Sequence, residues 1–166
     1  MTGIIILLII LILIGIAIRQ QKRIVYPLLK DRSARIGIWR FDDVHPTITA
    51  AYLEAVSEAF MLDDEDVFKL RPEDTLGNLY KSRYKRRQLL AADSMEFEIF
   101  CTDFNNLCGS SDVKFDPDNS LRDQIRLISR FRNNRPFTDG EMNSMGWKMN
   151  FLAALEQTDV QTVDSR

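Results

Sequence analysis

One serine in this chain stands where a hydroxyl could carry a group. Asp93-Ser94-Met95-Glu96 reads as a capping box, with Asp93 as the cap and Glu96 at the third helical position satisfying free backbone donors. A serine there presents an exposed hydroxyl, and an anionic group joined to it meets free N–H groups and the positive end of the helix dipole. The other reactive residues are isolated. His45 is the only histidine, no ligand-spaced Cys or carboxylate accompanies it, and beside Pro46 it reads as a helix-flanking residue. Cys101 and Cys108 fall on one apolar stripe and read as packed thiols rather than a redox pair. Asp63-Asp64-Glu65-Asp66 lacks the glycine and closing glutamate of a calcium loop and reads as a solvated acidic turn. The seven glycines are dispersed, so no glycine-rich phosphate loop exists. No catalytic constellation emerges, and the chain is not expected to be an enzyme.

The elements that must position Ser94 are helical. From Thr47 to Phe60, Ile48, Tyr52, Val56 and Phe60 recur at helical spacing with Leu53 beside them, opposite Glu54, Ser57 and Glu58, after a start at Pro46 or Thr47. The segment from Val67 to Leu76 reads as a loop pinned by Pro72, with Phe68, Leu70, Leu76 and Leu79 as inward plugs. The helix opened by the capping box carries Phe97, Phe100, Cys101, Phe104, Leu107 and Cys108 on one stripe and stops at Gly109. A third helix starts near Asp118 to Ser120. It runs Leu121, Ile125, Ile128 and Phe131 along one side, with Arg122, Arg126 and Arg130 on the other, until Asn133-Asn134-Arg135-Pro136 stops it. A last helix follows a Thr138/Glu141 capping box with Met142, Met145, Met149 and Leu152 in line. No strand pattern is convincing, so the body is expected to be all-α, four helices in one bundle.

Composition divides the chain. Its 166 residues sum to a formal charge of −2, but the first 40 hold seven Lys or Arg and one acid while the remainder holds 15 basic and 23 acidic residues. A +6 leader therefore precedes a −8 body, and neither suggests a nucleic-acid binder. Two cysteines make neither a disulfide framework nor a metal cluster.

Residues 4 to 18 form an unbroken aliphatic run that, with Met1, Thr2 and Gly3, would rise about 27 Å as a helix, enough for a thin bilayer. Gly15-Ile16-Ala17 resembles a signal-peptide cleavage site, yet no basic segment precedes the run, which favours an uncleaved anchor. Arg19, Lys22 and Arg23 follow it, so the positive-inside rule puts the body in the cytoplasm, as for a single-pass bacterial inner-membrane protein with reduced thiols. Residues 19 to 46 read as a basic juxtamembrane linker. Its Tyr26 and Trp39 suit anionic headgroups of membrane lipids, or else it is a simple stop-transfer flank.

Taken together, Leu70-Arg71-Pro72-Glu73-Asp74-Thr75-Leu76, Leu79-Tyr80, Ala92-Asp93-Ser94-Met95-Glu96 and Asn119-Ser120-Leu121-Arg122-Asp123-Gln124-Ile125 resemble an acyl carrier protein domain, over about residues 47 to 131. The resemblance implies an acyl-carrier-like domain at 47–132, to which the residue pattern adds a C-terminal helix and tail at 133–166 and, from the aliphatic run, a transmembrane helix at 1–18. It also implies a 4′-phosphopantetheine arm on Ser94, transferred from coenzyme A and holding an acyl or aminoacyl group as a thioester, as in lipid or fatty acid metabolism. Asp93 would stand beside it for the phosphopantetheinyl transferase, and Met95 would pack inward behind it. Glu96 and Glu98 would lie on the surface read by acyl-activating or acyltransferase enzymes.

One stretch departs from that family. Twelve residues, Lys81 to Ala92, separate Leu79-Tyr80 from Asp93 where the family has far fewer, and five are basic: Lys81, Arg83, Lys85, Arg86 and Arg87. That cluster could touch a bilayer, a phosphate or an acidic partner, or be a solvated loop. The alternative to a carrier is a membrane-tethered interaction or regulatory module with the same fold and no arm, in which Asp93-Ser94-Met95-Glu96 is a capping box and nothing more.

Overall fold

The computed structural model describes residues 26–84, 95–144 and 151–156. Its elements are α1 (Pro46–Phe60), a single turn α2 (Asp64–Val67), α3 (Leu76–Arg83), α4 (Met95–Cys108), α5 (Leu121–Phe131) and α6 (Asp139–Ser144), with residues 151–156 also helical. Two short 3-10 turns, Pro27–Leu29 and Gly37–Trp39, precede them. Among the described residues there is no strand, only an isolated bridge between Thr75 and Ser120. The fold is all-α.

The central helix is α1. His45 caps it, its ring Nδ1 accepting from the Thr47 N–H at 3.3 Å, and Pro46 supplies a first-turn φ that needs no donor. Met61 ends it in the left-handed region, φ 51°, while the Leu62 N–H returns to the Ser57 carbonyl at 2.9 Å. The helix is buried more widely than a two-faced pattern suggests. Ala50, Ala51, Ala55 and Ala59 are enclosed together with Ile48, Tyr52, Leu53, Val56 and Phe60, because alanines let neighbours approach on the sides the large residues leave open. Tyr52 meets Phe100 edge-on at 5.8 Å and Phe60 meets Phe97 at 5.6 Å, so α1 and α4 run antiparallel. The start of α4 therefore lies beside the end of α1.

The segment expected to face headgroups is folded into the domain from Tyr26 onward. Tyr26, Leu29 and Trp39 are buried members of the core, which corrects their assignment to a lipid-facing linker. The pattern is ambiguous because basic residues interleaved with aromatics suit a domain flank as well as a bilayer: the rings turn inward and Lys30, Arg35 and Arg40 stay exposed. Backbone and side chain fasten this segment to the loop before α3. Arg35 N–H donates to the Phe68 carbonyl at 2.8 Å, Arg71 reaches the Ser33 carbonyl at 2.9 Å, and Arg32 grips Asp74 with both terminal nitrogens.

Phe68, Leu70, Pro72, Leu76 and Leu79 are buried as the loop reading requires. The stretch after it is helical rather than a loop. Thr75 caps α3 by accepting the Asn78 N–H at 3.1 Å, a cap without the Glu that completes a capping box and so without its sequence signature. Gly77 lets α3 approach the α4–α5 connection: its N–H donates to the Pro117 carbonyl at 2.8 Å, and a Cβ there would collide with Asp118. The same connection pairs with the loop through Leu121 N–H to Asp74 carbonyl and Arg122 N–H to Pro72 carbonyl, both 2.9 Å.

Phe100, Phe104, Leu107 and Cys108 form the buried stripe of α4, which ends at Gly109 with φ +67°. In α5, capped by Ser120 on the Asp123 N–H at 3.1 Å, Leu121, Ile125 and Ile128 face inward, but Phe131 is 48% exposed. Helical phase places Arg132, not Phe131, in line with Ile128, and Arg132 lies over the Phe137 ring at 3.7 Å and donates to Glu141 at 2.9 Å. The Thr138/Glu141 box forms reciprocally, Thr138 N–H to the Glu141 carboxylate at 2.9 Å and Glu141 N–H to the Thr138 hydroxyl at 3.3 Å. Met142 is buried, whereas Met145 and Met149 lie outside the described residues.

Among the described residues no helix is long and apolar enough to cross a membrane, and the aliphatic run at 4–18 lies outside them.

Candidate functional site

Asp93 and Ser94 lie outside the described residues, as do Lys85, Arg86 and Arg87. Met95, the residue after Ser94, is the first of α4, so the site is defined by what surrounds that helix start. Three elements converge on it. Tyr26, just before the first 3-10 turn, donates its hydroxyl proton to the Phe60 carbonyl at the end of α1, 2.7 Å away. Arg83, in the last turn of α3, sits 3.3 Å from the same hydroxyl and 3.4 Å from the Glu96 carboxylate, with its guanidinium 4.8 Å from the Tyr84 ring centre and 5.5 Å from that of Tyr26. Tyr84 donates to the same Glu96 oxygen.

Burial raises the Tyr26 phenol above its ordinary range, against the pull of Arg83. Tyr84 is pushed up to about 12, by burial first and then by the Glu96 carboxylate that its proton bridges. Both phenols therefore stay protonated near neutrality and act as donors.

Glu96 thus differs from its expected role. Its side chain is only 16% exposed and is held by Arg83 and Tyr84, because it lies one turn before the buried Phe100 on the same side of α4. Met95 also reverses expectation: it is 69% exposed instead of packing inward. Two residues before Phe97, it projects from the opposite side of a helix whose phase is set by the phenylalanines. Glu98 is exposed. Lys81 is exposed and pairs loosely with Asp118 at 3.4 Å, and Arg83 is half-buried.

Tyr26 and Tyr84, the donors that organise this end, were not singled out by the sequence for that part. Tyr84 sits inside the basic run and Tyr26 before Pro27, positions with no distinguishing spacing. Of the two described members of the basic cluster, Lys81 and Arg83, it is Arg83 that reaches the start of α4.

The remaining candidates lie elsewhere. His45 serves as the cap of α1 and also donates its backbone N–H to the Asn134 side chain at 2.7 Å. Cys101 and Cys108 are free thiols, both shifted upward by burial, Cys108 to about 11, which keeps them protonated near neutrality. The acidic residues after α1 form α2, where Lys69 binds Glu65 at 3.0 Å and Asp66 at 2.8 Å. Among the described residues no three His, Cys, Asp or Glu side chains gather to hold a metal ion. A cleft of about 590 Å³ opens at the far end of α4 between Gly109 and Arg132, and its lining holds no nucleophile beyond serine hydroxyls. Neither a family model nor a curated protein nor a solved structure matches this chain.

Proposed function

We propose that the chain is a membrane-anchored acyl-carrier-like protein that presents acyl or aminoacyl groups on a 4′-phosphopantetheine arm at Ser94. The observation that carries the reading is the start of α4 at Met95: Ser94 directly precedes a 14-residue helix whose inner stripe is buried against α1. Further support comes from the long plugged loop ahead of it and from α5, entered through Asn119-Ser120-Leu121. A phosphodiester on Ser94 would meet the free N–H groups of the first turn of α4, and Arg83 lies within reach of the second residue of that helix. The arm would supply the thiol chemistry, and the protein presentation and recognition. Phosphopantetheinyl transferase and acyl-activating or acyltransferase enzymes are the partners this reading requires.

The exposed Met95 and inward Glu96 favour a second reading, a tethered interaction module with no arm, in which the outer face of α4 meets a protein partner. Coexpression with a broad-specificity phosphopantetheinyl transferase separates the two. Under the carrier reading, intact-mass spectrometry shows one arm on the full chain and none on Ser94→Ala. Unmodified protein with several such transferases leaves the module.

A further inference from the structure

At the opposite end of α4 from Met95 a charge is buried at the edge of open space. The cleft of about 590 Å³ there is lined by the end of α4 with Ser110 and Ser111, by Glu141 and Ser144 of α6, and by Phe137 and Arg132, just past α5. The Arg132 side chain is only 8% exposed. A guanidinium withdrawn from water to that degree is unfavourable unless its donors are met.

Most of them are. The guanidinium lies over the Phe137 ring at 3.7 Å, its Nη2 donates to Glu141 at 2.9 Å and its Nε donates to the Arg135 carbonyl at 3.4 Å. Nη1 has no hydrogen-bond partner among the described residues. A planar fork held on one face and at two nitrogens keeps the third nitrogen in a fixed direction, the preorganisation that suits a bidentate oxyanion.

The charges are unbalanced in the same sense. Arg135 donates to the same Glu141 oxygen at 2.6 Å, and the other oxygen takes the Thr138 N–H and hydroxyl at 2.9 and 3.0 Å. One carboxylate with all its acceptor sites taken thus answers two guanidiniums. Asp112 and Asp139, the acids nearest in sequence, are exposed and do not line the cleft. The carbonyls at the end of α4, which would repel an anion, are met from within the chain: that of Asn105 by the Ser110 N–H at 3.2 Å and that of Asn106 by the Gly109 N–H at 3.1 Å. The Ser110 oxygen accepts the Asp112 N–H at 3.3 Å, and its own proton has no acceptor among the described residues. Asn105, on the wall, keeps a side-chain oxygen without a donor, an acceptor for a hydroxyl or a P–OH group.

We propose that this cleft binds a small oxyanion, a ligand bearing a phosphate or carboxylate group, with Arg132 Nη1 and the Ser110 hydroxyl as its donors. The site stands apart from Ser94, separated from it by the length of α4, 14 residues or about 21 Å of helix, and it does not depend on the carrier reading.

The test is calorimetric titration of the full chain in a nonionic detergent with inorganic phosphate and with citrate, ionic strength being held constant with sodium chloride. Saturable binding of either probe with a Kd below about 1 mM is expected, and no saturable heat from either overturns the proposal. Arg132→Lys keeps the charge and loses the fork, so it should weaken binding by about tenfold or more, while Arg135→Gln, which removes a charge outside the lining, should change it by less than about threefold. Equal affinity in the wild-type and Arg132→Lys chains, or an equal loss in the two variants, marks general attraction to a basic surface and overturns the site. Ser110→Ala removes one hydroxyl from an exposed turn and should weaken binding about fivefold, so it decides the matter if Arg132→Lys fails to fold; unchanged binding then defeats the proposal. Hydrogen exchange locates the ligand: phosphate-dependent protection at 106–111 supports the cleft, and protection confined to 95–99 refutes it. Ser94→Ala should bind phosphate as the wild type does, so loss of the arm leaves this result standing.

Discussion

Tyr84 and Glu96 are joined by a hydrogen bond across a gap of twelve positions, closing the ends of α3 and α4 onto one another. That bond decides where Glu96 points. A carboxylate at the second position of α4 would otherwise add negative charge to the exposed face of its first turn. With Tyr84 and Arg83 holding it, the open side of α4 is left to Met95, Glu98 and Ile99.

Tyr84→Phe should free Glu96 from its neutral donor and leave only the longer Arg83 contact. Its loss should lower stability by about 1 kcal/mol, since the pair is part-exposed. Urea unfolding of the Tyr84→Phe chain measures it. The Tyr84 phenol gives a second check through pH. Its pKa is raised to about 12 in the folded state, so its stabilising contribution is complete below 10 and is lost as pH rises from about 10 through 12. The variant should lack that component of alkaline unfolding.

Asp103 should make acid favourable to the fold over a defined window. Burial, and then the nearby Glu58 carboxylate, raise its pKa to about 6. The folded state therefore holds this proton more tightly than the unfolded chain, and stability should fall as pH rises from about 4 to about 6. Asp103→Asn should be more stable at pH 7 by about 1 kcal/mol after allowing for its partial exposure, and should show a flatter profile in thermal melts across that window. Identical profiles for the two chains would refute the assignment.

Trp39 separates a folded flank from a linker. Trp39→Ala should cost about 3–5 kcal/mol, the penalty of emptying a packed aromatic site. A residue in a linker lying on headgroups would show no such loss. Trp39→Phe should be far milder, because the indole N–H is buried with no acceptor among the described residues and its removal relieves an unpaired donor. Thermal denaturation of both variants in detergent decides the matter.

Glu141 anchors the start of α6, and its carboxyl is held at about 2 by the Thr138 N–H first and the Arg132 guanidinium second. A depressed carboxyl stabilises above the unfolded value and loses that contribution as pH falls from about 4.5 through 2. Glu141→Gln should weaken the docking of Arg132 over Phe137 and remove this acid-sensitive component, read from tryptophan fluorescence during acid titration.

Where periodicity was strong, the sequence was a sufficient guide. The α4 stripe, the α5 start at Ser120, the Thr138/Glu141 box and the loop plugs Leu70, Leu76 and Leu79 all follow from spacing and capping chemistry that act locally. What escaped depends on distant partners. The eight residues of α3 carry little apolar signal and are helical because Leu76, Gly77 and Leu79 close against the core and the Pro117 carbonyl. Tyr26 and Trp39 looked amphipathic in sequence because nothing local says whether an aromatic faces lipid or protein. Met95 was misplaced because its inward packing rested on the family resemblance, whereas Phe97, Phe100 and Phe104 set the phase of α4 and turn Met95 outward. The family resemblance carried no information on the Tyr26, Arg83, Tyr84 and Glu96 arrangement.

Arg40 donates two hydrogen bonds to the Leu155 carbonyl, at 3.1 and 2.6 Å, across 115 positions. Seen from the ribosome, this contact makes the domain late to close. The segment around Arg40 is made early relative to the segment that completes its surroundings, which follows 115 positions later. By residue 131 the helices α1, α4 and α5 have all been made, while the flank around Arg40 still waits for the helical residues 151–156 that pack against it.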